Sequence, residues 1–268
     1  MSIKTAYILA IVGAACWGLI GLFVQNLYVY GFTAWDVVAI RSIFAAVILL
    51  IYMALLNRSE LRINWKHIPF FIGSGIISIV FFNWCFFTVM EQANLSLAVV
   101  LLYTGPLFVT ILSRIFFKEL LTVRKVIAII ITLFGCAFVV GFFPSINTVI
   151  TASTLLVGIG SGFFYALYSI FAKVSSRYYG ALTITGYTYF CAALFMITTN
   201  PFVSKLDLLL NWSVFLNSIG LALIPTILAF LLYTKGLSYI ESSRASILST
   251  IEPVVAICVG FLFCKPEL

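Results

Sequence analysis

Long apolar runs alternate with short polar breaks along almost the whole chain. A helix needs about 20 mostly apolar residues to cross the hydrocarbon of a bilayer. The first run starts after Lys4 and is too long for the apolar part of a signal peptide. The breaks carry charge or turn residues, as in NRSELRINWKH (57–67) and SRYYG (176–180). The pattern predicts nine membrane-spanning helices, at residues 7–28, 35–56, 68–89, 95–113, 126–143, 153–172, 181–199, 212–233 and 243–264.

Composition agrees with a chain that uses lipid as its solvent. The protein is 63% hydrophobic and only 9% charged, whereas soluble domains carry roughly 25% charged residues. The loops are too short to form a nucleic-acid surface, so no nucleic acid is expected. The six cysteines form no C-x-x-C pair and there is one histidine, so neither a metal site nor a cofactor is predicted. The fold class is therefore an all-α polytopic membrane protein.

The basic residues predict the orientation of the chain. Cytoplasmic loops of membrane proteins carry an excess of Lys and Arg. With the amino terminus inside, only Lys205 and Lys265 fall outside, and Arg41 lies within the second span. The other twelve of the 15 basic residues are internal: Lys4, Arg58, Arg62, Lys66, Arg114, Lys118, Arg124, Lys125, Lys173, Arg177, Lys235 and Arg244. We expect a multi-pass protein of the cell membrane with a cytoplasmic amino terminus.

The two halves of the chain match weakly at an offset of roughly 148 residues. Trp17 and Tyr165 fall at equivalent places, and aligning residues 93–111 with 240–258 brings Pro106 onto Pro253. The predicted domains are a first repeat at 1–146, with helices 1–5, and a second at 147–268, with helices 6–9. Because five spans is an odd number, the second repeat is inverted relative to the first, a common plan in secondary transporters.

Several motifs together resemble a known family. They are a small-residue first helix ending in Trp17-Gly18, DVVAIRSIFAAVILL (36–50), EQANLSLAVVLLYTGPLF (91–108) running into FFKELLT (116–122), and YTKGLSYIESSRASILSTIEPVVA (233–256). Through these motifs the chain resembles the EamA type of the drug/metabolite transporter superfamily. The resemblance implies ten helices in two EamA-like repeats. We therefore expect that a tenth helix is missing after Lys265, either because the second repeat is truncated or because the protein is an unusual nine-span version.

The resemblance implies a function in transport. The expected activity is secondary transport of small metabolites or drugs, such as amino-acid-like solutes or amines, by alternating access, with export as the direction. A flippase for lipids or lipid-linked sugars is the alternative. A membrane-embedded enzyme is disfavoured because the chain lacks H-E-x-x-H and G-x-S-x-G motifs, and no Walker-type loop is present for ATP.

Glu252 is the acidic residue predicted to lie deepest. It is about nine residues into its span, or roughly 13–14 Å deep at 1.5 Å per residue, in a hydrocarbon core about 30 Å thick. A charge there costs about 2.5–3.5 kcal/mol, so the side chain must face the bundle, be neutral or have a partner. Glu252 either lines a transport cavity, where it binds a polar group or exchanges a proton, or holds two helices together as a neutral carboxyl.

Other residues complete the predicted site. Arg41 either pairs with Glu252, contacts an anionic group of a substrate, or extends to the outer headgroups. Asn83 is a polar candidate because an amide in mid-span needs partners. Aromatic residues around a cavity can hold cationic or aromatic solutes, although most aromatics of this chain must pack or face lipid. The aromatic candidates, on helices that the resemblance places around the cavity, are Trp17, Trp84, Tyr103, Tyr165, Tyr168 and Tyr233.

Pro106 and Pro253 are predicted hinges for the two halves, because proline interrupts a helix and the two residues occupy equivalent places. The expected partners are a small-molecule substrate and the lipid bilayer. Coupling to a proton or to another ion remains open, as does the choice between monomer and homodimer.

Overall fold

The computed structural model describes residues 1–93, 95–139, 151–200 and 202–263, and these residues contain helices but no strand. Short 3₁₀ segments lie at Arg58–Leu61, Trp65–His67 and Phe202–Leu210. The main helices are α1 (Ile3–Trp17 and Ile20–Val29), α2 (Ala34–Leu56), α3 (Ile68–Ile72, Gly73–Val80 and Phe81–Gln92), α4 (Leu95–Leu102 and Gly105–Phe117), α5 (Val123–Val139), α6 (Ala152–Ser175), α7 (Ala181–Thr199), α8 (Trp212–Ala222, Leu223–Leu228 and Ala229–Leu237) and α9 (Ser242–Leu248, Ser249–Ile251 and Glu252–Phe263).

The predicted all-α polytopic class is confirmed. Eight helical stretches of the described chain are long and apolar enough to cross a membrane, and they coincide with eight of the nine predicted spans. The other predicted span, 126–143, corresponds to α5, which has 17 described residues. Its last part, the proposed repeat boundary at 146/147 and the chain around Lys265 lie outside the described residues.

Helices of one repeat pack against helices of the other in an antiparallel manner. In α1 and α8, Gly13 lies against Ala229 whereas Ala6 lies against Gly236. In α2 and its repeat equivalent α7, Met53 near the end of α2 contacts Gly186 near the start of α7. The antiparallel contact of two equivalent helices is what an inverted repeat requires.

Helix irregularities recur at equivalent positions of the two repeats. The α3 helix is π-helical over Gly73–Val80, and its equivalent α8 is π-helical over Leu223–Leu228. The α4 helix is interrupted at Tyr103 and Thr104, and its equivalent α9 passes through a 3₁₀ turn at Ser249–Ile251. Local distortions are thus part of the repeated unit, which supports the inverted alignment independently of side-chain similarity.

Two faces of the helical bundle can be distinguished by the connections that they carry. The amino-terminal face holds the start of α1 and the connection between α4 and α5. The opposite face holds the connection between α1 and α2, where Thr33 and Asp36 cap the start of α2 reciprocally. Lys205 reaches this cap from the segment between α7 and α8, and its Nζ lies 2.6 Å from an Asp36 carboxylate oxygen.

Glycines allow α1 and α8 to approach closely. A Cβ atom on Gly13 would lie 2.7 Å from the carbonyl oxygen of Ala229 and from the backbone nitrogen of Tyr233. In the same interface, a Cβ on Gly236 would lie 2.6 Å from the carbonyl oxygen of Ala6. Small residues at helix contacts are the usual way in which membrane helices gain packing energy, since lipid provides no hydrophobic drive for their association.

Substitution of Gly13 by Ala is expected to destabilise the protein. The added methyl group meets backbone atoms, so α1 and α8 must move apart, at an expected cost of about 1–3 kcal/mol. Gly135→Ala on α5 is the matched control, because a Cβ there meets nothing within 4 Å and Ala favours a helix. The measurement is reversible unfolding of the two variants in detergent. Equal stability of both would contradict the close α1–α8 contact.

Candidate functional site

A cavity of about 660 Å³ lies between the two repeats. It runs from the middle of the helices towards the opposite face, where Tyr28 of α1 and Met90 of α3 line it. Its walls come from α1, α2, α3, α4, α6, α8 and α9, so both repeats contribute. The volume falls within the range of roughly 300–1,000 Å³ that is usual for small-molecule sites.

The structure brings together eight of the nine predicted substrate-binding residues. They line this one cavity although they come from seven helices: Trp17, Arg41, Asn83, Tyr103, Tyr165, Tyr168, Tyr233 and Glu252. Their role in binding stays a prediction.

The prediction that Trp84 belongs with these residues is wrong as to its position. Trp84 is 50% exposed on the outside of the bundle, beside a separate depression that Trp35 and Phe195 also line. Successive residues of a helix point about 100° apart. Phe82 and Asn83 both face the cavity, so Trp84, about 200° from Phe82, points away from it.

The two predicted hinge prolines occupy matching places in broken helices. Pro106 is the second residue of the second half of α4, and Pro253 is the second residue of the last part of α9. Proline is favoured in the first turn of a helix because its missing N–H would have no partner there. Each break therefore precedes its proline. Both prolines are buried, and Pro253 also lines the cavity. The hinge role of both remains a prediction.

Aromatic rings form one wall of the cavity around Trp17. Its ring centroid lies 4.9 Å from that of Tyr233 and 5.0 Å from that of Phe230, and Tyr165 is at 6.4 Å. The tilted and edge-on arrangements are those that aromatic pairs prefer. The wall is therefore packed in place and offers a fixed apolar surface to a solute.

Hydrogen bonds between α6 and α8 fix the floor of the cavity. The Tyr168 hydroxyl lies 2.6 Å from Oγ1 of Thr234, and the Tyr233 hydroxyl lies 2.9 Å from Oγ of Ser169. All four side chains are buried. Because buried hydroxyl groups need partners, these pairs hold both tyrosine rings in one orientation at the floor.

An arginine and an acidic side chain line the cavity without forming an ion pair with each other. Arg41 is 6% exposed, and Glu252 begins the last part of α9. Among the described residues no ion pair joins them. Nε of Arg41 and the indole N–H of Trp17 are buried donors that lack a hydrogen-bond partner in the described chain. A buried donor without an acceptor is costly, and both of these donors belong to side chains that line the cavity.

Sequence reasoning missed several lining residues. Gln25, Ser78, Ser169 and Phe230 also face the cavity. The amide of Gln25 within an apolar span was a detectable signal of the same kind that identified Asn83. Serine is common in membrane helices and phenylalanine is abundant in this chain. Residue type alone therefore did not distinguish Ser78, Ser169 and Phe230 from residues that only pack between helices.

Glu119 connects the two repeats at the amino-terminal face. Its carboxylate accepts hydrogen bonds from the backbone nitrogens of Ser242 (2.7 Å) and Ser243 (3.2 Å), and from the Ser243 hydroxyl (2.6 Å). Burial opposes ionisation of this group, but the hydrogen bonds from Ser243 and Ser242 outweigh it and lower the pKa of Glu119 below its usual value. The carboxylate is therefore charged at neutral pH, and its stabilising contribution is lost only as the pH falls through the lowered pKa.

The residues that the structure describes include no group of three or more His, Cys, Asp or Glu side chains that could hold a metal ion.

Comparison with known sequences decides the family. Residues 4–141 and 152–268 match the EamA-like transporter family. The chain belongs to the EamA-like transporter family. It is accordingly a multi-pass membrane transporter, and the resemblance drawn from the sequence motifs is confirmed.

Relatives of this EamA-like protein are transporters as well. It is 26% identical to the uncharacterized transporter YyaM of Bacillus subtilis (strain 168), over 82% of this chain and 72% of that protein. It is 24% identical to the uncharacterized inner membrane transporter YicL of Salmonella typhimurium, over 96% of this chain and 88% of that protein. An uncharacterized transporter of Archaeoglobus fulgidus is 26% identical, and the match spans 60% of its length.

A solved crystal structure shares the fold. The alignment has a TM-score of 0.76 and 16% sequence identity, and it covers 99% of this chain and 91% of the other.

A double-mutant cycle is expected to show that Tyr168 and Thr234 act as a pair. Tyr168→Phe or Thr234→Val leaves one buried hydroxyl without its partner, so each should lower the free energy of unfolding by about 1–3 kcal/mol. The double variant should lose less than the sum of the two. Tyr28→Phe, at the wide end of the cavity, is the control and should change little. Additive losses in unfolding experiments would contradict a hydrogen bond that positions the floor.

Proposed function

We propose that this EamA-like protein is a secondary transporter of small solutes that carry an apolar body together with a carboxylate and an amino group. The observation that supports this most is that Arg41 and Glu252 line one aromatic cavity and that no ion pair joins them among the described residues. Arg41 would receive the carboxylate of the solute. Glu252 would receive the ammonium group.

The charges of the cavity support a zwitterion over a singly charged solute. A solute with one charge would leave either Arg41 or Glu252 without a partner in a largely apolar space, which is unfavourable. A zwitterion satisfies both. The aromatic wall around Trp17 would contact the apolar body, and amino-acid-like solutes are the simplest compounds with all three features.

Alternating access is the proposed mechanism. Transporters built from inverted repeats bind their substrates near mid-membrane, and this cavity starts from the middle of the helices. If the amino terminus is cytoplasmic, as the distribution of basic residues predicts, the cavity extends towards the outside. Export would then require that the solute enters from the amino-terminal face and leaves through the face that the cavity reaches.

Three solutes with one phenyl body provide the test of substrate class. L-phenylalanine carries both charges, phenethylamine only the ammonium group and 3-phenylpropanoate only the carboxylate. We expect L-phenylalanine to raise the melting temperature of the purified protein most, because a ligand that binds only the native state stabilises it. Counterflow of labelled L-phenylalanine in proteoliposomes then tests transport.

Substitutions of Glu252 and Arg41 test which charged group of the solute each residue binds. Glu252→Gln should lower the binding affinity for L-phenylalanine and phenethylamine by about 10- to 100-fold, because one charge-assisted contact contributes about 1.5–3 kcal/mol. The affinity for 3-phenylpropanoate should stay unchanged. Arg41→Gln should lower the affinity for L-phenylalanine and 3-phenylpropanoate and leave the affinity for phenethylamine unchanged. No response to any of the three solutes, together with stabilisation by lipid, would instead favour the flippase alternative.

Proton coupling through Glu252 makes a separate prediction. If the carboxyl exchanges a proton during the cycle, uptake into proteoliposomes should depend on the external pH, and Glu252→Gln should retain residual uptake that no longer responds to pH. Glu91→Gln at the end of α3 is the control and should preserve the pH profile. An unaltered pH profile in Glu252→Gln would refute the coupling role.

A further inference from the structure

Glu119 lies in a set of polar contacts beyond its bonds to Ser242 and Ser243. It follows α4 directly after Lys118, whose positive φ of 57° turns the chain. Nζ of Lys125 lies 3.9 Å from Glu119 and 3.1 Å from Glu241. The set therefore joins the connection between α4 and α5, in the first repeat, to the start of α9 in the second.

The same contacts extend to α1. Nε of Arg244 lies 2.6 Å from the carboxylate of Glu241, and an Arg244 Nη donates to the Tyr7 hydroxyl at 2.8 Å. We name this set the amino-terminal latch; it consists of Tyr7, Glu119, Lys125, Glu241, Ser242, Ser243 and Arg244. Within it, only Glu119 bonds directly to backbone nitrogens of the other repeat.

The latch closes the end of the bundle that the cavity does not reach. The second part of α4 and the first part of α9 meet there, whereas the other parts of the two helices line the cavity, α4 through Leu102 and α9 through Glu252. Both helices are broken near mid-membrane. Contact at one end and separation at the other are therefore properties of the same two helices.

We propose that Glu119 is a positioning residue that holds the amino-terminal end of the cavity closed, and that its bonds to Ser242 and Ser243 break when the cavity opens towards that face. This rests on the proposed alternating access. Parting α4 from α9 at this face necessarily removes the carboxylate from both backbone donors. The bonds to a charged acceptor are strong, so they favour the closed arrangement.

Two single cysteines report on the two ends. Ser246→Cys lies in the first part of α9 and is fully buried; Gly21→Cys lines the cavity, where a Cβ meets nothing within 4 Å. Each is placed in a variant whose six native cysteines are replaced by Ala or Ser. The rate of labelling by a water-soluble maleimide is measured in detergent.

With Glu119 intact, Gly21→Cys should react quickly and Ser246→Cys slowly. Glu119→Gln keeps the shape of the side chain but removes its charge, and it should raise the labelling rate of Ser246→Cys about tenfold while lowering that of Gly21→Cys. Ser243→Ala, which removes only the hydroxyl donor, should act in the same direction but less. Lys205→Gln breaks an ion pair at the opposite face, away from α4 and α9, and should change neither rate.

Opposite changes at the two reporters distinguish a latch from a merely structural contact. If Glu119 only stabilised the fold, Glu119→Gln would raise both labelling rates together and lower the melting temperature, which would overturn the proposal. Unchanged rates would overturn it as well. The reporters need no substrate, so opposite changes support the latch even if L-phenylalanine is not transported, whereas transport with unresponsive reporters would refute the latch alone.

Discussion

The structure depends on the requirement that backbone polar groups at membrane depth be satisfied inside the protein. Lipid offers no hydrogen-bond partners, so irregular backbone is tolerated there only where protein or a cavity covers it. The interruption of α1 near Gly18, that of α4 at Tyr103 and that of α9 before Glu252 all border the central cavity. The broken helices leave room for a site, and the site is a place where broken helices are permitted.

Repeat symmetry and chemical asymmetry have different roles in this molecule. Helix contacts, π-helical segments and interruptions recur in both repeats, so the scaffold is nearly symmetric. The charges are not: Arg41 lies on α2, and its counterpart in the repeat alignment is the tyrosine at position 189 on α7. Glu252 likewise aligns with an uncharged residue next to Pro106. A symmetric scaffold allows two related arrangements of the bundle, while the unequal side chains give the site its polarity.

Much of the fold and of the candidate site was predictable from the sequence, because membrane spans are long apolar runs. An acidic residue or an arginine inside such a run also stands out, because a charge there is energetically unfavourable. Those two rules located the helices, Arg41 and Glu252. Trp84 was misplaced because neighbouring residues in a uniformly apolar helix differ in direction but not in character, and no amphipathic pattern marks the inner side. The contacts of Glu119 with Ser242 and Ser243 were also not predictable. Glu119 and the two serines lie at helix ends that are far apart in sequence, and only the folded chain brings them together.

The placement of the cavity groups on different helices has a geometric consequence. Arg41 on α2, Glu252 on α9 and the ring of Trp17 on α1 approach the cavity from three directions. Three different contacts that a solute can reach from one side only distinguish it from its mirror image. A solute bound through all three would therefore fit in only one mirror form, so that chirality, and not only charge and size, would decide what this cavity accepts.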